Sequence, residues 1–146
     1  LLPGAATRLL AARAPLLEEF LAQEADAGRL ALKLKPVAER ALLHGHCHQK
    51  AFGAMPALER ALGLVPGLQV SAVQSSCCGM AGSFGYEAEH YEVSMKMAEA
   101  DLLPALRAAP GDCALVACGT SCRQQIAHGT GREAVHAVRL LERALA

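Results

Sequence analysis

Residues 68–82 read LQVSAVQSSCCGMAG. Leu68, Val70 and Ala72 alternate with Gln69 and Ser71, the period of a half-buried strand. The run ends in Ser75-Ser76-Cys77-Cys78-Gly79-Met80-Ala81-Gly82, whose glycines suit a tight loop with close backbone approach. Beyond it, Tyr91, Met95, Ala98 and Leu102 fall on one helical face, with Pro104 marking a break or a restart. The stretch therefore predicts a unit of strand, cysteine loop and helix.

The same unit recurs on either side. Upstream, Ala41-Leu42-Leu43 runs into His44-Gly45-His46-Cys47-His48, and Ala51, Met55, Leu58 and Leu62 then keep helical spacing until Gly63 and Pro66. Downstream, Cys113 to Ala117 is a short apolar run leading to Cys118-Gly119-Thr120. Thr120 or Ser121 is placed to cap a short helix through Ile126, which Gly129 and Gly131 end. Ala134, Val138, Leu141 and Leu145 mark a last amphipathic helix. Ahead of all three units, Pro15 opens and Gly28 closes a helix with Leu16, Leu17, Phe20 and Leu21 on one face, followed by a short alternating strand from Leu30 to Leu34. This order predicts an α/β fold: a small parallel sheet of three to four strands flanked by helices, with the cysteine loops at its carboxyl edge. Residues 1–146 read as a single domain with 1–29 as a helical lead-in. The opening Leu1-Leu2-Pro3, without methionine, suggests a piece of a longer polypeptide.

Composition narrows the function. Hydrophobic residues make up 53% of the chain, enough for one buried core. Lys plus Arg and Asp plus Glu both number 14, so no charge excess points to nucleic acid or an anionic membrane. Aromatic residues are 3% of the total and tryptophan is absent, which leaves few stacking platforms for bases. No apolar run is long enough for a membrane helix and no signal-peptide pattern is present, so a soluble, cytoplasmic protein is expected. The six cysteines cluster beside glycine and histidine, which favours metal or redox chemistry over a disulfide framework.

Cys47, the Cys77-Cys78 pair, and Cys118 with Cys122 each follow an expected strand and precede an expected helix. In a parallel α/β sheet that carboxyl edge is where ligands bind, so residues distant in sequence converge there. Thiolates are soft ligands for zinc or iron-sulfur clusters. The spacing matches neither a zinc ribbon nor a bacterial ferredoxin. Adjacent cysteines chelate one tetrahedral ion poorly, but they can serve different irons of a cluster. A zinc-stabilised docking domain and a thiol-disulfide module stay open as alternatives. His46 and His48 flank Cys47 and are placed to ligate metal, to donate hydrogen bonds to cluster sulfur or to shuttle a proton, with support favoured over direct ligation. Gly79 is expected to direct its amide toward sulfur. Lys50, Arg123 and Arg132 either offset thiolate charge or lie on solvated faces. Cys113, at the far end of its strand, reads as a packed or surface thiol, and His44, His90, His128 and His136 as surface or satisfied helix histidines.

The motifs His46-Cys47-His48, Cys77-Cys78-Gly79 and Gly119-Thr120-Ser121-Cys122-Arg123 resemble the cysteine-rich CCG domain, over roughly Leu42 to the end of the chain. That domain occurs in the B subunit of heterodisulfide reductase, in iron-sulfur subunits of glycolate and glycerol-3-phosphate dehydrogenases, and in lactate-utilisation proteins. The stretch Cys77 to Glu87 looks most like the C-terminal part of bacterial FAD-linked oxidases and dehydrogenases acting on 2-hydroxy acids. The resemblance implies electron transfer through an iron-sulfur cluster of the 4Fe-4S type. It implies Cys47, Cys77, Cys78 and Cys122 as metal ligands and adds Cys118 to the cofactor-binding set, with His46, His48, Gly79 and Arg123 in support. The family's last element is commonly Cys-x2-Cys, whereas Gly119 stands three before Cys122. Substrate would be a D-2-hydroxy acid such as lactate, glycolate or 2-hydroxyglutarate. FAD would sit in flavin and ferredoxin-like modules outside this stretch, since no Gly-x-Gly-x-x-Gly fingerprint is present. The isolated stretch is not expected to turn over substrate.

Overall fold

The computed structural model describes residues 3–146, so Leu1 and Leu2 of the lead-in lie outside the described residues. Four strands, β1 (Arg40–His44), β2 (Gln69–Ala72), β3 (Ala114–Ala117) and β4 (Ala134–Val135), form one parallel sheet in the order β2-β1-β3-β4. The α/β parallel architecture expected from the sequence is the one observed. Because β2 and β3 lie on opposite sides of β1, the winding reverses between β1 and β3. Such a reversal opens a crevice above the carboxyl ends of the two strands.

The helices are α1 (Ala5–Ala12), α2 (Leu17–Asp26), α3 (Cys47–Ala51), α4 (Met55–Leu62), α5 (Tyr91–Ala100), α6 (Leu102–Ala108), α7 (Thr120–Thr130) and α8 (Ala137–Arg143). Strand alternation sorts two cores onto the two sheet faces. Ala41, Leu43 and Val116 meet Leu58 and Leu62 of α4 and Ala137 and Leu140 of α8 on one face. Leu42, Leu115 and Ala117 meet Leu102 and Leu106 of α6 and Ile126 of α7 on the other. Each fully buried leucine contributes about 1.5–3 kcal/mol. No helix among the described residues is long and apolar enough to cross a membrane.

Several local expectations need correction. The helix expected from Ala51 to Leu62 is two, α3 and α4, because Gly53 takes a left-handed turn (φ 69°) and Pro56 restarts the chain in the first turn of α4. α5 and α6 likewise divide at Asp101, three residues before Pro104. Leu30 to Leu34 forms no strand: Leu34 makes one antiparallel bridge to Leu145, away from the sheet. α7 runs past Ile126 to Thr130, carries Gly129 inside it, and stops at left-handed Gly131. Neither Thr120 nor Ser121 caps it, since Gly119 holds the cap position. Ala134 belongs to β4, and α8 buries Ala137 and Leu140, so its inner face is displaced from Val138 and Leu145, which stay exposed. Leu16, Leu17 and Phe20 of the lead-in are also exposed. α2 is tied down by polar groups instead, with the Gln49 amide donating to Glu18 Oε1 at 2.8 Å and Arg60 paired with Asp26 at 2.7 Å.

Candidate metal centre

The loops after β1, β2 and β3 meet at the carboxyl edge. The Cys77-Cys78 pair divides there. Cys77, half-buried, faces Cys47 with the two sulfurs 3.8 Å apart. Cys78 is 2% exposed and turns into the α6/α7 core beside Cys122, which is 1% exposed and sits in the first turn of α7. A ring nitrogen of His44 lies within 4.8 Å of both of these sulfurs, which lie within the same distance of each other.

Glycine makes this closeness feasible. Gly79 (φ 87°) abuts α5 so closely that an added Cβ would stand 2.9 Å from the Ser94 carbonyl carbon. Its N–H donates to Cys77 Sγ at 3.3 Å. At Gly119 a Cβ would meet His46 Cδ2 at 2.5 Å and Cys122 Sγ at 2.8 Å. Gly85 fits against Met80 and Ser94, whose hydroxyl also receives the Gln125 amide at 3.0 Å.

The electrostatics follow from crowding. Cys78 is pulled down to about 4 by the Cys122 thiol that bonds to it, against its own burial, with help from His44 and the Met80 amide. Cys122 is pushed well above the ordinary thiol range by the same bond, by burial, and by the charges of Cys78, Cys47 and Cys77. Cys47 is raised chiefly by burial and then by Cys77. Thiols crowded in this way are relieved by a cation.

The basic residues do not face sulfur. The Lys50 ammonium donates to the carbonyls of Ser75 and Ser76. Arg123 donates to the carbonyls of Ala117 at 3.1 Å and Cys118 at 2.7 Å, fixing the end of β3. Arg132 holds the opposite edge, donating to the carbonyls of Leu106, Ala109, Pro110 and Cys113 at 2.9–3.0 Å. Offsetting thiolate charge is therefore not their direct contact role.

Cys118 follows Val116 in the strand alternation and packs against the α4/α8 core, on the face opposite Cys78 and Cys122. It lines the crevice above β1 and β3, a cleft of about 520 Å³ shared with His46, His48, Phe52 and His136. His46 Nδ1 accepts from the His48 amide at 3.3 Å and so caps α3, while the His48 ring is exposed. His136 caps α8 in the same way. Burial and Arg123 lower its pKa. Cys113 is buried at the amino end of β3.

His44 departs from the surface or satisfied helix histidine that the sequence pattern predicts. It is 1% exposed rather than on a surface or helix. Its Nδ1 lies 3.1 Å from Ser75 Oγ, and its Nε2 is buried without a hydrogen-bond partner. Strand parity carried the signal, since His44 shares a face with Leu42. Together, four thiols in two close pairs and an unpartnered buried imidazole nitrogen form a donor set that fits iron or zinc.

Comparison with known proteins agrees with a redox setting. Over 127 residues, 87% of this chain, it is 32% identical to the C subunit of the anaerobic glycerol-3-phosphate dehydrogenase of Escherichia coli strain K12, and equally to that of strain O157:H7. Over 116 residues it is 34% identical to the D-2-hydroxyglutarate dehydrogenase of strain K12. The chain spans 31% of the length of the first relatives and 11% of the other. No family model matches the chain, and no solved structure does. Over most of its length this chain is thus similar to one portion of larger oxidoreductase chains.

Proposed function

We propose that this chain is the iron-sulfur cluster-binding electron-transfer module of an FAD-linked oxidoreductase that oxidises a D-2-hydroxy acid. The observation that carries the reading is the division of the vicinal pair: Cys77 goes to Cys47, and Cys78 to Cys122 and His44. One small ion cannot gather both pairs, whereas a cluster of the 4Fe-4S type presents several irons to ligands on different sides. Cys47, Cys77, Cys78 and Cys122 are the ligands in this reading. Cys118, on the other face of β3, is left out of the set.

When bound, the cluster supplies one-electron chemistry, and the chain's own groups hold it. Gly79 directs its N–H at Cys77 sulfur, and Lys50 and Arg123 brace the loops through their carbonyls. Flavin and substrate belong to modules of the parent enzyme outside residues 1–146. One relative's name carries a 2-hydroxy acid, D-2-hydroxyglutarate, and the other's a different alcohol, glycerol 3-phosphate. Exposed Leu9, Leu10, Leu16, Leu17 and Phe20 give the lead-in an apolar surface suited to cover by those modules.

A zinc-stabilised docking domain is the second reading, favoured by the three mutual donors His44, Cys78 and Cys122. Anaerobic reconstitution with iron and sulfide, followed by iron, sulfide and zinc analysis, separates the two. Iron and sulfide bound by the wild type and lost in Cys77→Ser support the cluster. Stoichiometric zinc without sulfide makes this a structural domain, and neither metal refutes both readings and leaves thiol chemistry.

A further inference from the structure

We infer that His44 is a nitrogen ligand of the iron held at the buried half of the site, beside Cys78 and Cys122; the inference rests on the cluster reading above. The ring leaves the end of β1 toward the α6/α7 side of the sheet, where solvent does not reach it. Ser75 Oγ, 3.1 Å from Nδ1, sets the ring's orientation from the β2 loop. Ligating histidines characteristically donate their other ring N–H to such a partner, which leaves the far nitrogen with a free lone pair. Here that far nitrogen, Nε2, is buried and bonds to nothing among the described residues. An orphaned buried polar atom is costly, so its retention calls for an occupant.

The distances suit a metal. Nitrogen and sulfur bound at about 2.1 and 2.3 Å to a tetrahedral centre stand roughly 3.6 Å apart. The His44 nitrogen and the two sulfurs lie within 4.8 Å of one another, so closure on an iron needs about an ångström of movement or less per atom. Cys47 and Cys77 form the other half without a comparable buried imidazole. His46 caps α3 with its Nδ1, and its free Nε2, near the Gly119 turn, is not among the three donors that lie within 4.8 Å of one another; the His48 ring is exposed. The two halves would therefore hold unlike irons: the buried one, with three protein donors, keeps a single position for a bridging sulfide, so the cluster is of a non-cubane kind.

The test is pulsed electron paramagnetic resonance on the reduced, anaerobically reconstituted chain, prepared with natural-abundance and with ¹⁵N-labelled histidine. A strong histidine nitrogen coupling that shifts with the isotope is expected in the wild type. It should be lost in His44→Asn and kept in His46→Asn and His48→Asn. Bound iron and sulfide with only the weak coupling of a hydrogen-bonded imidazole would overturn the ligand and leave the cluster reading intact. A wild type that takes up no iron and sulfide would overturn both. If His44→Asn fails to fold, the labelled wild type read together with His46→Asn and His48→Asn decides the question, and loss of the coupling in either of those variants would overturn His44 as the ligand.

Discussion

Gly79→Ala isolates the contribution of close backbone approach to this site. Two costs combine at this position. An alanine at φ 87° is in the left-handed region, which costs about 1–2 kcal/mol. Its Cβ would also sit 2.9 Å from the Ser94 carbonyl carbon, against about 3.5 Å for an ordinary carbon contact. The loop or α5 must give way, at about 1–3 kcal/mol for such overpacking. Gly82→Ala is the matched control, since Gly82 has φ 72° but nothing within 4 Å of an added Cβ. It should carry only the backbone cost. The difference between the variants, about 1–3 kcal/mol, corresponds to a melting point lower by roughly 2–12 °C for a domain of this size. Thermal unfolding followed by circular dichroism measures it, and thiol alkylation checks the site. Cys77 should react more slowly with alkylating agents in Gly79→Ala, because its sulfur loses the amide donor 3.3 Å away that favours the nucleophilic thiolate. If the two variants melt together, the approach to α5 is not tight in solution and the reasoning fails.

Three further outcomes are expected. Arg132→Ala removes a guanidinium that joins the carbonyls at the end of α6 to the start of β3, at a cost of about 2–3 kcal/mol by urea titration, with Arg132→Lys intermediate; an unchanged midpoint would show that water replaces the latch. Cys113→Ala, at the amino end of β3, should leave iron and sulfide uptake at the wild-type level, and a loss would remove it from the role of packed thiol. His136 has a folded-state pKa below its usual value of about 6.5, so the unfolded chain binds the extra proton first. Stability should be full above about pH 6.5 and fall as pH drops from there through the depressed value. In His136→Asn, whose amide can still cap α8, that slope between pH 7 and 5 should flatten, and an identical slope would place the effect elsewhere.

The fold was legible because its signal is local. Alternation at Leu68 to Ala72, a glycine-rich loop and a helical face repeat three times, and three such units leave few arrangements other than a parallel sheet. Boundaries were less legible where one residue changes the outcome. Gly53 divides a helix that apolar spacing alone extends, since Ala51, Met55, Leu58 and Leu62 stay in phase across the break. Leu30 to Leu34 has strand alternation but no sheet edge to join, and such a pattern cannot reveal that its partner is the chain end near Leu145.

At the candidate centre, what sequence spacing could not separate, strand parity does: Cys118 lies on the face of Ala114 and Val116, and His44 on the face of Leu42 with Cys78 and Cys122. A one-residue slip in the register of β1 or β3 would turn either side chain to the other core, because successive residues point to opposite faces. The register of β1 and β3 therefore decides which donors meet. β1 ends on His44, and Gly45 lets the chain turn under Met55, where a side chain would collide with its sulfur. β3 ends on Ala117, and Gly119 starts α7 soon enough to place Cys122 in its first turn. Inserting one residue between Cys122 and Ile126, with Ile126 held in its core, would rotate Cys122 away from Cys78 by about 100° around α7, the turn per residue of an α-helix, and would dismantle the buried pair while leaving every cysteine in the sequence.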